Sequence, residues 1–318
     1  MERVERKSLK QMGRSRHLWK RIRKYWPLML MILIPLALVF IFNYAAYPGL
    51  RIVFYNYKPA LGFERSKWVG WGIFEKVFRD RDFFRALRNS LVFNILGLAL
   101  SFPAPIILAL MLNELKYPRF KKISQTILYL PHFLSWVIIG SLAYSLFRPT
   151  TGLVNVLLMK VGWIEKGIPF LTEKTHWAVT YLLIGVWQGM GWGTIIYLAA
   201  LTGINGELYE AAMIDGAGRW KRMLHITLPG IKGTIITLLI MNLGRLMGSN
   251  FEALKVFGNT QVREYQYQLA IYVYEKGLGS GGNYSMSTAV NLFQSLVGLI
   301  LVLLADRFAK LIGEDGLL

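Results

Sequence analysis

The chain has 318 residues, 54% of them hydrophobic, and a formal net charge of +19 from 37 Lys and Arg against 18 Asp and Glu. That apolar share exceeds the roughly 45–50% of ordinary soluble domains and places the chain in a membrane. With no cysteine and four scattered histidines (His17, His132, His176, His225), a disulfide framework, a thiolate metal site and a histidine cluster are excluded.

Ten basic side chains crowd the start, at Arg3, Arg6, Lys7, Lys10, Arg14, Arg16, Lys20, Arg21, Arg23 and Lys24, directly ahead of an apolar run. A soluble chain this basic would suggest nucleic acid. A basic tail abutting a span reads instead as a cytoplasmic anchor on anionic membrane lipid, with no nucleic-acid partner. Residues 1–25 are therefore taken as a tail and 26–318 as one transmembrane domain.

Apolar stretches of about 20 residues suffice, at about 1.5 Å per residue, to cross a hydrocarbon core of about 30 Å. They predict six spans, near 26–47, 88–112, 124–147, 177–201, 232–250 and 286–306, and so an all-α integral membrane fold. The first is not read as a cleaved signal, because its basic flank is too long and five further spans follow. Loop 113–123, with Lys116, Arg119, Lys121 and Lys122 against Glu114, joins the tail in setting the amino terminus inside, and six crossings return the carboxyl terminus to the cytoplasm. Loop 51–87, expected outside, is itself rather basic.

Pro103 and Pro105 in the second span and Pro131 in the third each remove a backbone donor and predict bends. Leu153, Val156, Leu157, Val161 and Ile164 have helical spacing and predict a short interfacial helix near 152–164. Residues 277–283 read as a flexible turn. No GxxxxGK[ST] sequence occurs, so nucleotide energy has to come from another subunit. The spans hold no nucleophile, base and orienter set, so neither catalytic residues nor a bound cofactor or metal is assigned.

Polar side chains inside spans mark either packing bonds or a pathway. The fourth span carries Trp187-Gln188-Gly189-Met190-Gly191-Trp192-Gly193, two indoles beside an amide, a pairing suited to the apolar face and hydroxyls of a sugar ring. Packing through small glycines explains the same pattern. Gln188, Asn242 and Gln294 share the middle of the bilayer; Asn94 and Asn291 lie nearer the outer side, and Asn291 pairs with Gln294 at i, i+3. Arg245, one turn after Asn242, has three routes open: a carboxylate of a companion subunit, the outer interface, or a substrate carboxylate. An acidic sugar, such as an alginate- or pectin-derived oligosaccharide, is thus permitted rather than implied.

Between the fourth and fifth spans stands a compact polar segment, Glu210 to Ile231, reading EAAMIDGAGRWKRMLHITLPGI. Leu208 to Asp215 is a helix-forming run, Gly216 and Gly218 allow a turn, and Trp220 to Leu228 resumes with Met223, Leu224 and Leu228 on one apolar stripe. Such an elbow could press into a groove on a partner. Its fixed positions are Glu210, Ala211, Ala212, Gly216, Ile226, Leu228 and Pro229, with Asp215 just ahead of the glycine.

This pattern resembles the coupling loop of ABC importers, and the whole chain is similar to the permease subunits of type I importers of the carbohydrate, maltose-type class. Asn89-Ser90-Leu91 and Tyr129-Leu130-Pro131-His132-Phe133-Leu134-Ser135-Trp136 resemble the branch handling polysaccharide breakdown products. The large external insertion of the maltose example is missing. The resemblance implies a type I importer permease fold in a bacterial cytoplasmic membrane. Its implied partners are a second related permease, two ATP-binding subunits that use ATP and Mg, and an extracytoplasmic solute-binding protein delivering an oligosaccharide. It assigns loop 207–231 to ATPase coupling. The alternative, an ion-coupled secondary carrier for a polar solute, calls for an ionisable residue near the midplane and an internal repeat; only Arg245 fits.

Overall fold

The computed structural model describes residues 23–279, 282–314 and 316–317. Of the basic tail this includes only Arg23 and Lys24, and the turn expected at 277–283 falls partly outside the described residues. Among them, four helices are long and apolar enough to cross a bilayer: Arg23–Phe54 (α1), Arg81–Asn113, Lys174–Leu201 and Tyr284–Leu311. Two bent pairs bring the number to as many as six if each counts as one span.

Helix α1 stands apart. No side chain from Arg23 to Leu50 is buried, although the segment is strongly apolar, with Leu33 63% and Phe42 73% exposed. It joins the body only at its tight last turns, where Val53 is fully buried. A ribbon of two short antiparallel strands follows, β1 (Tyr55–Asn56) and β2 (Lys67–Trp68). Ser285 fastens it to the body by donating to the Tyr55 carbonyl at 2.6 Å and accepting from the Tyr57 amide at 3.1 Å. Helix α2 (Gly72–Arg79) then buries Ile73 and Val77.

The second span begins well before the apolar stretch. Asp80 caps α3 (Arg81–Ser101) by accepting from the Asp82 amide, and Phe83 and Ala86 are buried between arginines that read as loop. After Phe102 the helix continues as α4 (Pro103–Asn113). The expected third span is two helices, α5 (Pro118–Tyr129) and α6 (Trp136–Phe147), at 104° to each other. Pro131 ends the first through a 3₁₀ turn, Leu134 is extended, and Ser135 restarts the chain by accepting from the Ile138 amide. The 12 residues of α6 reach about 18 Å, short of a full crossing. The short helix expected near 152–164 is present as α7 (Leu153–Lys160).

Helix α8 (Lys174–Leu201) runs unbroken for 28 residues. Two of its glycines mark close crossings: a Cβ on Gly191 would overlap the Leu128 carbonyl, and one on Gly193 would lie 2.9 Å from the Pro105 ring. Beyond it come α9 (Gly206–Ile214) and α10 (Arg219–Gly230), then a 58° bend at Ile231 into α11 (Lys232–Gly244). The fifth span, expected to reach residue 250, stops being helical at Gly244. Residues 245–250 are unwound before α12 (Phe251–Phe257), α13 (Leu269–Gly277) and α14 (Tyr284–Leu311) complete the chain.

Two apolar cores hold these elements. The larger, at the end away from α9 and α10, joins Phe83, Phe93, Trp177, Leu254, Phe257 and Tyr272. Trp177 is fully buried and donates its indole N–H to the Phe257 carbonyl at 2.8 Å, so its polar tip is satisfied inside the core. The smaller joins Ile106, Ala109, Tyr197, Leu201 and Ile231, with Ile204 and Leu228 against it.

Candidate functional site: the elbow and the intramembrane cavity

The elbow is built from two helices, of which the first, α9, is capped at both ends. Asn205 opens α9 by accepting from the Glu207 amide, and Gly216 closes it at φ +76°, a left-handed conformation that favours glycine. That angle lets the Gly216 amide reach the Met213 carbonyl at 3.1 Å and the Ala217 amide reach the Ala212 carbonyl at 2.8 Å, a Schellman closure. A Cβ at Gly216 would meet nothing within 4 Å, so the glycine is required by the backbone angle rather than by space.

A wide helical turn, Met223–Thr227, precedes Pro229 in α10, which is where the chain loosens ahead of a residue with no N–H to donate. Thr227 donates to the Arg222 carbonyl, so Tyr209 from α9 donates to Thr227 at 2.9 Å and braces the two helices. Leu228 and Ile231 root the elbow in the smaller core, and Ile204 lies against Gly230. Its crest is uncovered: Ile214 is 87% and Trp220 76% exposed, beside Leu208, Met213 and Leu224. Glu210, Ala211, Asp215 and Pro229 are also exposed, while Ala212 and Ile226 are half-buried.

Midway along α8 lies a cavity of about 330 Å³, bounded by α3, α8 and the unwound stretch after α11. It brings together Gln188, Asn242 and Arg245 with Asn94 and Asn250, and adds the aromatic faces of Trp136 and Tyr181. The unwound backbone there is satisfied by side chains from neighbouring helices. Asn94 donates to the Leu246 carbonyl at 2.7 Å and the Gly248 carbonyl at 3.0 Å, and Gln294 to the Met247 carbonyl at 2.7 Å. Irregular backbone at membrane depth is tolerated where it is paired in this way beside a cavity.

The family model for binding-protein-dependent transport system inner membrane components matches residues 101–314. The chain belongs to that family. It is similar to the polygalacturonan/rhamnogalacturonan transport system permease protein YteP of Bacillus subtilis (strain 168), being 45% identical over 304 residues, 96% of this chain and 94% of that one. Among solved structures it is similar to a chain of a bacterial ABC transporter involved in the import of the acidic polysaccharide alginate. The TM-score is 0.82 at 36% identity, covering 94% of this chain and 100% of that one. A bacterial alginate ABC transporter in complex with an alginate pentasaccharide-bound periplasmic protein matches with TM-score 0.81, also at 36% identity, over 94% and 99% of the two chains. This multi-pass membrane protein is a permease, a transport subunit of the ABC importer class.

In this permease the residues of the tryptophan-rich stretch part company. Gln188 faces the cavity, but Trp187 lines a separate apolar groove of about 570 Å³ between α6 and α8, with Leu142, Leu146 and Leu183. Trp192 stacks on His132 with ring centroids 4.7 Å apart. Asn291 is exposed on α14 outside the cavity lining, and Gln294 is engaged with the Met247 carbonyl. The aromatic faces at the cavity come instead from Tyr181 and from Trp136, the latter within a segment that sequence reading used only to mark a family branch. A restart of α6 at Ser135 is what turns it there, and that restart is readable after Pro131.

At the far end of α8, about 40 Å from the elbow, charges form a dense polar rim around a cavity of about 960 Å³. Lys174 pairs with Glu264, Arg263 with Glu275, and Lys276 with Asp80. Glu173 caps α8; the amides of His176 and Thr175, then the His176 ring, draw its carboxyl down to about 2. Burial pushes the Asp80 carboxyl up, but hydrogen bonds from Lys276, the Asp82 amide and Tyr272, with the Lys276 charge, outweigh it and hold the group below its ordinary value. Among the described residues no group of His, Asp and Glu is arranged to hold a metal ion.

Proposed function

We propose that this permease carries oligosaccharides, handed over by an extracytoplasmic solute-binding protein, across a bacterial cytoplasmic membrane by alternating access. It does so beside a second homologous permease, and two ATP-binding subunits that use ATP and Mg grip the elbow 207–231. The uncovered apolar crest of the elbow carries this reading. Fully burying a side chain such as Ile214 gains about 1.5–3 kcal/mol, and a large aromatic such as Trp220 seated in a partner's pocket is the usual anchor of an interface. Glu210, Asp215 and Gly216 are exposed on the same elbow. Residues 26–318 act as one unit crossing six times, each bent pair counted as one crossing, with both termini cytoplasmic. The chain itself contributes no catalytic residue and binds no cofactor.

The names of the similar proteins support a sugar polymer as the cargo class, and the cavity at Gln188, Asn242 and Trp136 supplies amides and an indole face suited to hydroxylated rings. The test is ATP-driven uptake by the reconstituted complex. Glu210→Ala and Ile214→Asp are each expected to abolish uptake while the permease remains inserted in normal amount. Retained uptake in either variant, or uptake by permeases stripped of the ATP-binding subunits, overturns the assignment.

A further inference from the structure

The cavity beside the broken fifth helix contains a charge that no carboxylate among the described residues answers. Its lining holds four amides, of Asn94, Gln188, Asn242 and Asn250, together with Ser101, Trp136 and Tyr181, and one ionisable cation, Arg245, with no carboxylate. Arg245 has no ion-pair partner among the described residues, and its side chain is exposed. The cavity sits about 20 Å along α8 from the elbow, counted from Gln188 to Leu201. That is deep within the span, where an uncompensated guanidinium is costly and marks a pathway or a partner charge.

The groups around it divide their labour. Both amide hydrogens of Asn94 are spent on the Leu246 and Gly248 carbonyls, and Asn242 donates to the Leu238 carbonyl at 2.7 Å. Gln188 makes no hydrogen bond among the described residues and keeps its whole amide for a ligand. Position 245 falls where the helix has just unwound, so the planar fork of the guanidinium is carried on backbone held from both sides by Asn94 and Gln294.

We propose that Arg245 reads a carboxylate on the passing sugar, making the cargo a uronate-containing oligosaccharide, with Gln188 bonding its hydroxyls and Trp136 facing its ring. This rests on the importer reading above and adds the substrate class. A charge-assisted hydrogen bond of this kind corresponds to a roughly 10- to 100-fold effect.

The experiment uses the full complex with its companion permease, ATP-binding subunits and binding protein in proteoliposomes. Uptake of trigalacturonate and of its methyl ester is measured for wild type, R245Q and R245K. Each variant is expressed relative to wild type on the same sugar, so the binding protein's own preference cancels. R245Q is expected to lower trigalacturonate uptake 10- to 100-fold and ester uptake less than 3-fold, and R245K to recover most of the acid uptake. Equal loss of both sugars, R245K no better than R245Q, or dissociation of the companion permease in R245Q assigns Arg245 to structure or to a subunit ion pair and overturns the proposal. The R245K comparison decides even where the ester is not taken up. A wild-type complex that moves no sugar with ATP overturns the importer reading itself, an outcome distinct from the loss of charge selectivity.

Discussion

At Gly216 the backbone takes φ +76°, and any residue with a side chain would add about 1–2 kcal/mol of strain there although the space is empty. That requirement is local, which is why the glycine could be picked out from its neighbours alone. Asn94 is the contrary case. Its two bonds go to carbonyls 152 and 154 residues away, so its place inside a span signalled a polar role without saying which. Asn94→Leu is expected to strip the unwound stretch of both bonds, each contributing about 0.5–1.5 kcal/mol. Thermal unfolding of the detergent-solubilised permease should show the loss, and uptake should fall with it. An unchanged melting curve would mean the stretch is held by other contacts.

Among the elements, the amphipathic elbow and the long apolar helices were legible because each follows from a pattern within its own residues. The two breaks were legible only in part. Pro131 announced a bend, yet the 104° turn depends on Ser135 capping a new helix. The end of α11 at Gly244 was hidden, since residues 245–250 hold no proline to announce a stop and their unwinding is made tolerable by side chains of α3 and α14. Helix α11 stays upright by crossing α14 at two glycines: a Cβ on Gly298 would lie 2.5 Å from the Gly244 carbonyl. Gly298→Val is therefore expected to force the two helices apart and to reduce the amount of folded permease recovered from membranes, whereas Leu299→Val on the exposed side of α14 should not.

For the whole molecule, composition established membrane residence, but how the spans divide between lipid and protein depends on neighbours the sequence does not contain. Helix α1 is the clearest instance, because it buries nothing upstream of Val53. Removal of residues 1–46 is expected to leave the unfolding of the remaining body nearly unchanged while lowering the yield of assembled transporter, read by co-purification of the companion subunits. A body that fails to fold without α1 would assign that helix to the core. The gathering of Gln188, Asn242 and Arg245 in one cavity was partly foreseeable from depth along each span; the exclusion of Trp187 and Trp192 was not, since facing depends on how α8 is rotated against α4 and α6.

Helix α8 spans the distance between that cavity and the elbow without a break, and its tightest contacts, at Gly191 and Gly193, fall between the two. A rod pinned near one point along its length turns as a lever about that fulcrum. A sideways push on the elbow then swings Gln188 the opposite way, with the short arm on the cavity side. Large, low-force travel at the elbow is thereby geared down to a small displacement at the cavity.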